Sequence, residues 1–153
     1  MIDEKSREII SRSHLIVGLK SEVIEGIVEN AYELEIKAGH LIIKEGDPLK
    51  GLFIIIEGEA SIEKINDATG ETTELHSRGI GESLGEMTLI DLGTRSVTVR
   101  AKSDVKIAVI DLEYMSTLFD KNPRTLATVA INIARILSNR LRESDEDSAG
   151  KFN

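Results

Sequence analysis

From Tyr32 onward the chain is cut into short apolar runs by turn residues, and that rhythm restricts the fold more than any other feature of its 153 residues. Glu33-Leu34-Glu35-Ile36 alternates polar and apolar, and Ala38-Gly39 turns the chain. Leu41-Ile42-Ile43 ends at Glu45-Gly46-Asp47-Pro48, and Leu52-Phe53-Ile54-Ile55-Ile56 ends at Glu57-Gly58. Ala60-Ser61-Ile62-Glu63-Lys64-Ile65 runs into Asn66-Asp67-Ala68-Thr69-Gly70, a hairpin tip by composition. Short strands separated by Gly-rich turns at roughly eight- to twelve-residue intervals predict a β-sandwich or barrel. Ser96 to Arg100 and Val105 to Ile110 read as two more strands. Gly39, Gly46, Gly58 and Gly81 are expected to take positive φ in their turns.

Both ends read as helical. Ile9, Ile10, Leu15, Ile16 and Leu19 are broadly helix-spaced until Gly18 interrupts them. Ser21 is expected to N-cap a second short helix carrying Val23, Ile24, Ile27 and Val28. After the strands, Asp111-Leu112-Glu113 predicts the capped start of a helix to Asp120. Asn122-Pro123 opens a longer one, with Leu126, Val129, Ala130, Ile133, Ile136, Leu137 and Leu141 as its apolar stripe. Residues 1–142 are read as a single domain, and 143–153, acidic and small, as a disordered tail.

Composition excludes several function classes. Aromatic residues are 3% and Trp is absent, so the core must be built of Ile, Leu and Val. With no Cys there is no disulfide, thiolate metal site or cysteine nucleophile, which is compatible with a cytoplasmic protein. His14, His40 and His76 lack metal-ligand spacing and are expected at the surface, so no metal site is expected. The net charge of −8 argues against nonspecific nucleic-acid binding. The N-terminus carries both charge signs without an apolar stretch, and the longest apolar run is too short for a bilayer; no membrane partner is expected.

The chemistry is concentrated in Gly81-Glu82-Ser83-Leu84-Gly85-Glu86-Met87-Thr88-Leu89-Ile90, followed by Thr94-Arg95-Ser96-Val97-Thr98-Val99. A small-residue turn, a carboxylate, a short helical start, an arginine and a strand are what a cyclic phosphodiester on a ribose needs. Free N–H groups at a helix start cradle phosphate. Arg95 offers a planar fork of donors to its oxygens. An ionised Glu86 accepts from a sugar hydroxyl. The stretch resembles the phosphate-binding cassette of the cyclic-nucleotide-binding domain family, which includes the regulatory subunits of protein kinase A and the sensor half of the bacterial catabolite activator protein. That family's pattern is Phe-Gly-Glu, an apolar residue, Ala-Leu, a short variable loop, then Pro-Arg, a small residue and Ala-Thr-Val. Gly85, Glu86, Met87, Leu89, Arg95, Ser96, Thr98 and Val99 match it. Leu84, Thr88, Thr94 and Val97 depart from it. Ala38-Gly39 through Gly46-Asp47, and Leu52 through Gly58, resemble two further landmarks, so the likeness runs from about His14 to Leu141.

The resemblance implies a mainly β fold: an eight-stranded jelly-roll β-barrel with N-terminal helices and a C-terminal helix, the cassette inside the roll. It implies phosphate contacts from Arg95, Ser96 and the backbone of Gly85, Met87 and Thr88, and ribose contacts from Glu86 and Gly85. Leu84, Met87 and Val97 would form an apolar wall, and Leu137, Arg140 and Leu141 would fold over the base. The ligand would be cAMP or cGMP, with Ser96 favouring cAMP. The reading is a non-enzymatic sensor with no catalytic residues and no cofactor beyond this ligand. It couples binding to movement of the C-terminal helix. Residues after Leu141 are too few for a helix-turn-helix, so output is expected through an effector protein or a homodimer formed by that helix. Two alternatives stay open: a jelly-roll scaffold that binds no nucleotide, motivated by Thr88 and Thr94, and, ranked last, a small enzyme using Glu82 and Glu86.

Overall fold

The computed structural model describes residues 2–46, 51–86 and 97–151, with 145–151 described by backbone alone. Two helices, α1 (Glu4–Ser11) and α2 (Ser21–Glu29), precede eight strands: β1 (Ala31–Ile36), β2 (Leu41–Ile43), β3 (Gly51–Glu57), β4 (Ala60–Ile65), β5 (Thr72–Arg78), β6 (Ser83–Leu84), β7 (Thr98–Ala101) and β8 (Val105–Asp111). Two helices follow, α3 (Leu112–Lys121) and α4 (Pro123–Lys151). The strands form two four-stranded antiparallel sheets, ordered β1-β8-β3-β6 and β2-β7-β4-β5. First strand pairs with last, second with seventh, third with sixth, fourth with fifth. This nesting is the jelly roll that the sequence rhythm and the resemblance led us to expect.

The continuous apolar run in β3 has a direct cause: that strand is buried on both faces. Leu52, Ile54 and Ile56 belong to a core shared with the helices, where Ile10, Leu15, Ile16, Ile27, Met115, Val129 and Ile133 meet them. Ile55 points the other way, into the roll, with Ile43, Leu84, Val99, Ile107 and Val109; Phe53 packs against that inner core. β8 repeats the division in register, with Ile54 opposite Ala108 and Ile55 opposite Ile107. The period-2 alternation of a strand therefore supplies two cores.

The four turn glycines all take positive φ, as expected. Gly58 shows why one of them tolerates no side chain. Its φ is +88°, and a Cβ there would lie 2.3 Å from the Asp104 carbonyl of the β7–β8 turn.

The helix ends refine the sequence reading. Asp111 caps α3 through Glu113, as expected, and the Asn122 side chain accepts from Thr125 at the start of α4. Ser21, expected as a cap, is instead the first residue of α2; Lys20 holds the cap position, without a side-chain bond. The apolar stripe of α4 divides. Val129 and Ile133 are buried and Ile136 and Leu137 pack behind them, whereas Leu126 and Leu141 are exposed. Across the stretch expected as a tail, α4 continues through Lys151. Extending an existing helix avoids the nucleation penalty, so weakly apolar sequence suffices.

The outer face of the second sheet carries a ladder of charge. Lys102 lies 3.4 Å from Glu59 and 3.2 Å from Glu74. A hydrogen bond from Ser77, then the Lys102 charge, holds the Glu59 carboxyl below the usual range; for Glu74 the leading cause is Ser61. A carboxyl whose folded value is depressed stabilises the fold above the ordinary glutamate range, around pH 4, and loses that contribution as pH falls through the lower folded value. The melting temperature should therefore fall steadily on acidification below about pH 4.5. In Glu59→Gln/Glu74→Gln that slope should be shallower; an identical slope in differential scanning fluorimetry would refute the assignment.

Candidate functional site

The stretch that leads to Glu86 is held by β3. Gly81 donates its amide to the Ile55 carbonyl at 2.8 Å, and the Ile55 amide donates to the Glu82 carbonyl at 3.0 Å. β6 then pairs Ser83 and Leu84 with Ile54 and Phe53. Leu84 is buried in the inner core and Val97 packs against it from the strand side. Gly85 follows at φ +82°, a left-handed conformation that L side chains rarely adopt. This kink delivers Glu86 to a position 1% exposed.

A buried carboxylate needs a cation or proton. Here the cation comes from α4: Arg140 Nη1 donates to Glu86 Oε1, and Nη2 donates to the Ser83 carbonyl at 2.8 Å. Glu86 Oε2 has no hydrogen-bond partner among the described residues. Burial, then the nearby Arg78 charge, pulls the Arg140 guanidinium from its ordinary value down to about 10, with Glu82 and Glu143 opposing. It stays protonated at neutral pH and so presents its charge to Glu86. Arg78, 5% exposed at the end of β5, lies 3.5 Å from Glu82 and 3.3 Å from Glu143. Two guanidiniums thus join α4 to the β5–β6 corner. A cleft of about 240 Å³ opens beside them, lined in part by Ser13, His14, Glu82, Ser83, Asn139 and Arg140.

The structure separates the candidate residues. Leu84 and Val97 meet at the inner core of the roll, and Gly85 and Glu86 follow Leu84 directly. Met87, Thr88, Arg95 and Ser96 lie outside the described residues, so the phosphate contacts expected of them do too. The residues expected to fold over the base take three different settings. Leu137 packs into the helix-side core, Leu141 is 64% exposed, and Arg140 reaches Glu86. The described partner of Glu86 stands 54 residues downstream. Arg78 and Glu143 were missed, and only the fold brings them together. His14 and His40 are exposed, and His76 is half-buried on β5. Among the described residues no three His, Cys, Asp or Glu side chains are placed to hold an ion. No helix among the described residues is long and apolar enough to cross a membrane.

A nested β-roll with helices on one sheet and a buried glutamate after a Gly kink defines a class, and comparison with known proteins gives it a name. The model of the cyclic nucleotide-binding domain matches residues 33–122, more than half of the chain. The chain belongs to the cyclic nucleotide-binding domain family. It is 30% identical over 134 residues to the cyclic AMP receptor protein of Thermus thermophilus, covering 87% of this chain and 59% of that one. It is 30% identical over 105 residues to a cGMP-dependent protein kinase of Caenorhabditis briggsae, covering 69% of this chain but 13% of the kinase. A solved cyclic nucleotide-binding domain from Methylobacillus flagellatus superposes with a TM-score of 0.80 at 25% identity, covering 97% of this chain and 83% of that one. The chain therefore spans only part of the length of these two curated relatives.

Replacing Arg140 by Met should leave the Glu86 carboxylate buried without its cation. Breaking such a pair costs about 3–5 kcal/mol; the adjoining cleft admits water, so the low end is expected. Urea denaturation should show a loss of about 3 kcal/mol, partly recovered in Arg140→Met/Glu86→Gln. A change within experimental error would mean that the pair does not hold the helix.

Proposed function

We propose that the chain is a non-enzymatic sensor of cyclic nucleotides, acting in the cytoplasm through a further protein chain. One observation supports this most: Glu86 is buried, has one oxygen held by Arg140, and leaves Oε2 as an acceptor with no described partner. A ribose hydroxyl entering the roll would satisfy that oxygen. In this reading Arg95 holds the phosphate, with Ser96 and the amides of Gly85, Met87 and Thr88 beside it. Leu84, Met87 and Val97 form the apolar wall. Ser96 favours cyclic AMP over cyclic GMP. Arg140 already touches Glu86, so a ligand that rearranges this carboxylate has differential affinity for two positions of α4. That is the requirement for a population shift.

Titration calorimetry with cyclic AMP and cyclic GMP tests the reading. Arg95→Ala should weaken binding by about 2–5 kcal/mol, the usual loss when one member of a buried charged pair is truncated. Glu86→Gln should cost less, because the amide keeps an acceptor. No heat and no gain in melting temperature with either nucleotide would favour a non-binding scaffold, to which Thr88 and Thr94 also point.

The partner surface we propose is a second copy docking on α4. Ala127, Ile131, Ala134, Ser138 and Leu141 are all exposed and recur at alternating spacings of four and three, as in a coiled-coil seam. Ile131 is 51% exposed despite being a large aliphatic residue. Sedimentation should show a dimer that Ile131→Glu converts to monomer; a wild-type chain that stays monomeric at high micromolar concentration would exclude the seam.

A further inference from the structure

The exposed row on α4 does not stop where its apolar residues stop. Arg124 stands three residues before Ala127, and Asp145 stands four after Leu141. The same alternation of four and three thus carries the row into a cation at one end and an anion at the other. Arg124 forms one wall of a groove of about 230 Å³ between the starts of α2 and α4, lined also by Lys20, Asn122, Thr125 and Thr128. Among the described residues, Arg124 and Lys20 have no ion-pair partner, and no carboxylate lines the groove. Lys121, in the last turn of α3, adds a third cation close by. At the far end of α4, Glu143 is turned back to Arg78, and Arg142 bonds back to Ser138 and Asn139. Beyond them the helix runs on through Asp145-Glu146-Asp147. The basic groove and the acidic end complement each other, but positions 124 and 145 of one helix lie about 32 Å apart at 1.5 Å per residue. They cannot meet within one molecule.

We infer that two copies of this chain pair their α4 helices antiparallel, with the acidic end of each seated at the basic groove of the other. Association through α4, proposed above, is the premise. The register follows from setting Ile131 opposite Leu141 of the second copy. The two large aliphatic residues of the row, 51% and 64% exposed, then cover each other at both ends of the contact. Ala134 falls opposite Ser138 of the second copy, so small residues let the helices approach at the centre. Position 145 falls opposite Ala127, one turn from Arg124 and beside the groove. In a parallel pair each position meets its own copy. Arg124 would then face Arg124, and Asp145 would face Asp145, and such like-charge contacts are unfavourable. The helix dipoles oppose a parallel pair as well. The antiparallel pair has its own cost at Arg135, which comes near its copy at the two-fold axis. That position is exposed, so solvent screens most of the repulsion.

The chain has no cysteine, so placed thiols report the arrangement without interference. The full chain carrying Ala127→Cys and Ser148→Cys is treated with a short bis-maleimide, and the linked peptides are mapped by mass spectrometry. The expected link joins position 127 of one copy to position 148 of the other. Links of 127 to 127 and of 148 to 148 would overturn the orientation and leave the α4 seam standing. A chain that sediments as a monomer and forms no link would overturn the seam itself, and a dimer that forms no link would place the contact elsewhere. Charge exchange tests the same pairing without thiols. Lys20→Glu/Arg124→Glu should weaken dimerisation about tenfold in sedimentation equilibrium, and adding Asp145→Lys/Glu146→Lys should bring it back to within about threefold of the wild type. A second pair of changes that deepens the loss would overturn the proposal.

Discussion

The ion pair between Glu86 and Arg140 joins the chain just beyond β6 to the last helix. A carboxylate 1% exposed is not held as an ion without a cation, and the only described cation bonded to it comes from α4. Arg140 is itself drawn out of water beside Arg78, and the carboxylates of Glu82 and Glu143 offset the repulsion between the two guanidiniums. Two arginines and three glutamates therefore meet at one seam. A joint of this chemistry differs from an apolar joint in one respect that matters for function: its partners can be exchanged for a hydroxyl or a phosphate without opening a void.

The rest of the helix is fastened differently. Val129, Ile133, Ile136 and Leu137 bind it to the face of β3 and β8 that looks away from the roll, and Asn132 ties it to the segment between α1 and α2. The other face of the same two strands builds the inner core behind Leu84. Packing on one side of this sheet thus sets the position of residues on the other. The part of α4 that packs on the sheet is apolar, and the part that reaches Glu86 is ionic.

Much of this was legible in the sequence because it is local. The runs at 41–43, 52–56 and 60–65 stand as strands almost residue for residue, and Asp111 caps the helix it precedes. The jelly-roll order was legible only through the family resemblance. β6 has two residues, too few to show a period. Leu137, Arg140 and Leu141 were grouped by the family resemblance, but successive helix positions point in different directions, and packing sends one to the core, one to Glu86 and one to solvent. Asn132 did leave a trace, a polar residue on the face of Val129, Ile133 and Ile136. Arg78 left none, since a lone arginine ending a strand gains meaning only when Glu143 arrives from 65 residues away. The composition of the tail suits both a solvated coil and the continuation of a helix already nucleated.

The nesting of strands also sets an order in time. Ala31 lies opposite Ile110, so the first strand of the roll is complete only when the last has been made. During synthesis the hairpin of β4 and β5 has its partner at once, while β1 emerges early and waits unpaired for β8. Its edge holds Tyr32 and Leu34, both still exposed in the finished fold. For a nascent chain this is the stretch with the longest window for unwanted pairing, and nearly the whole domain must leave the ribosome before that window shuts.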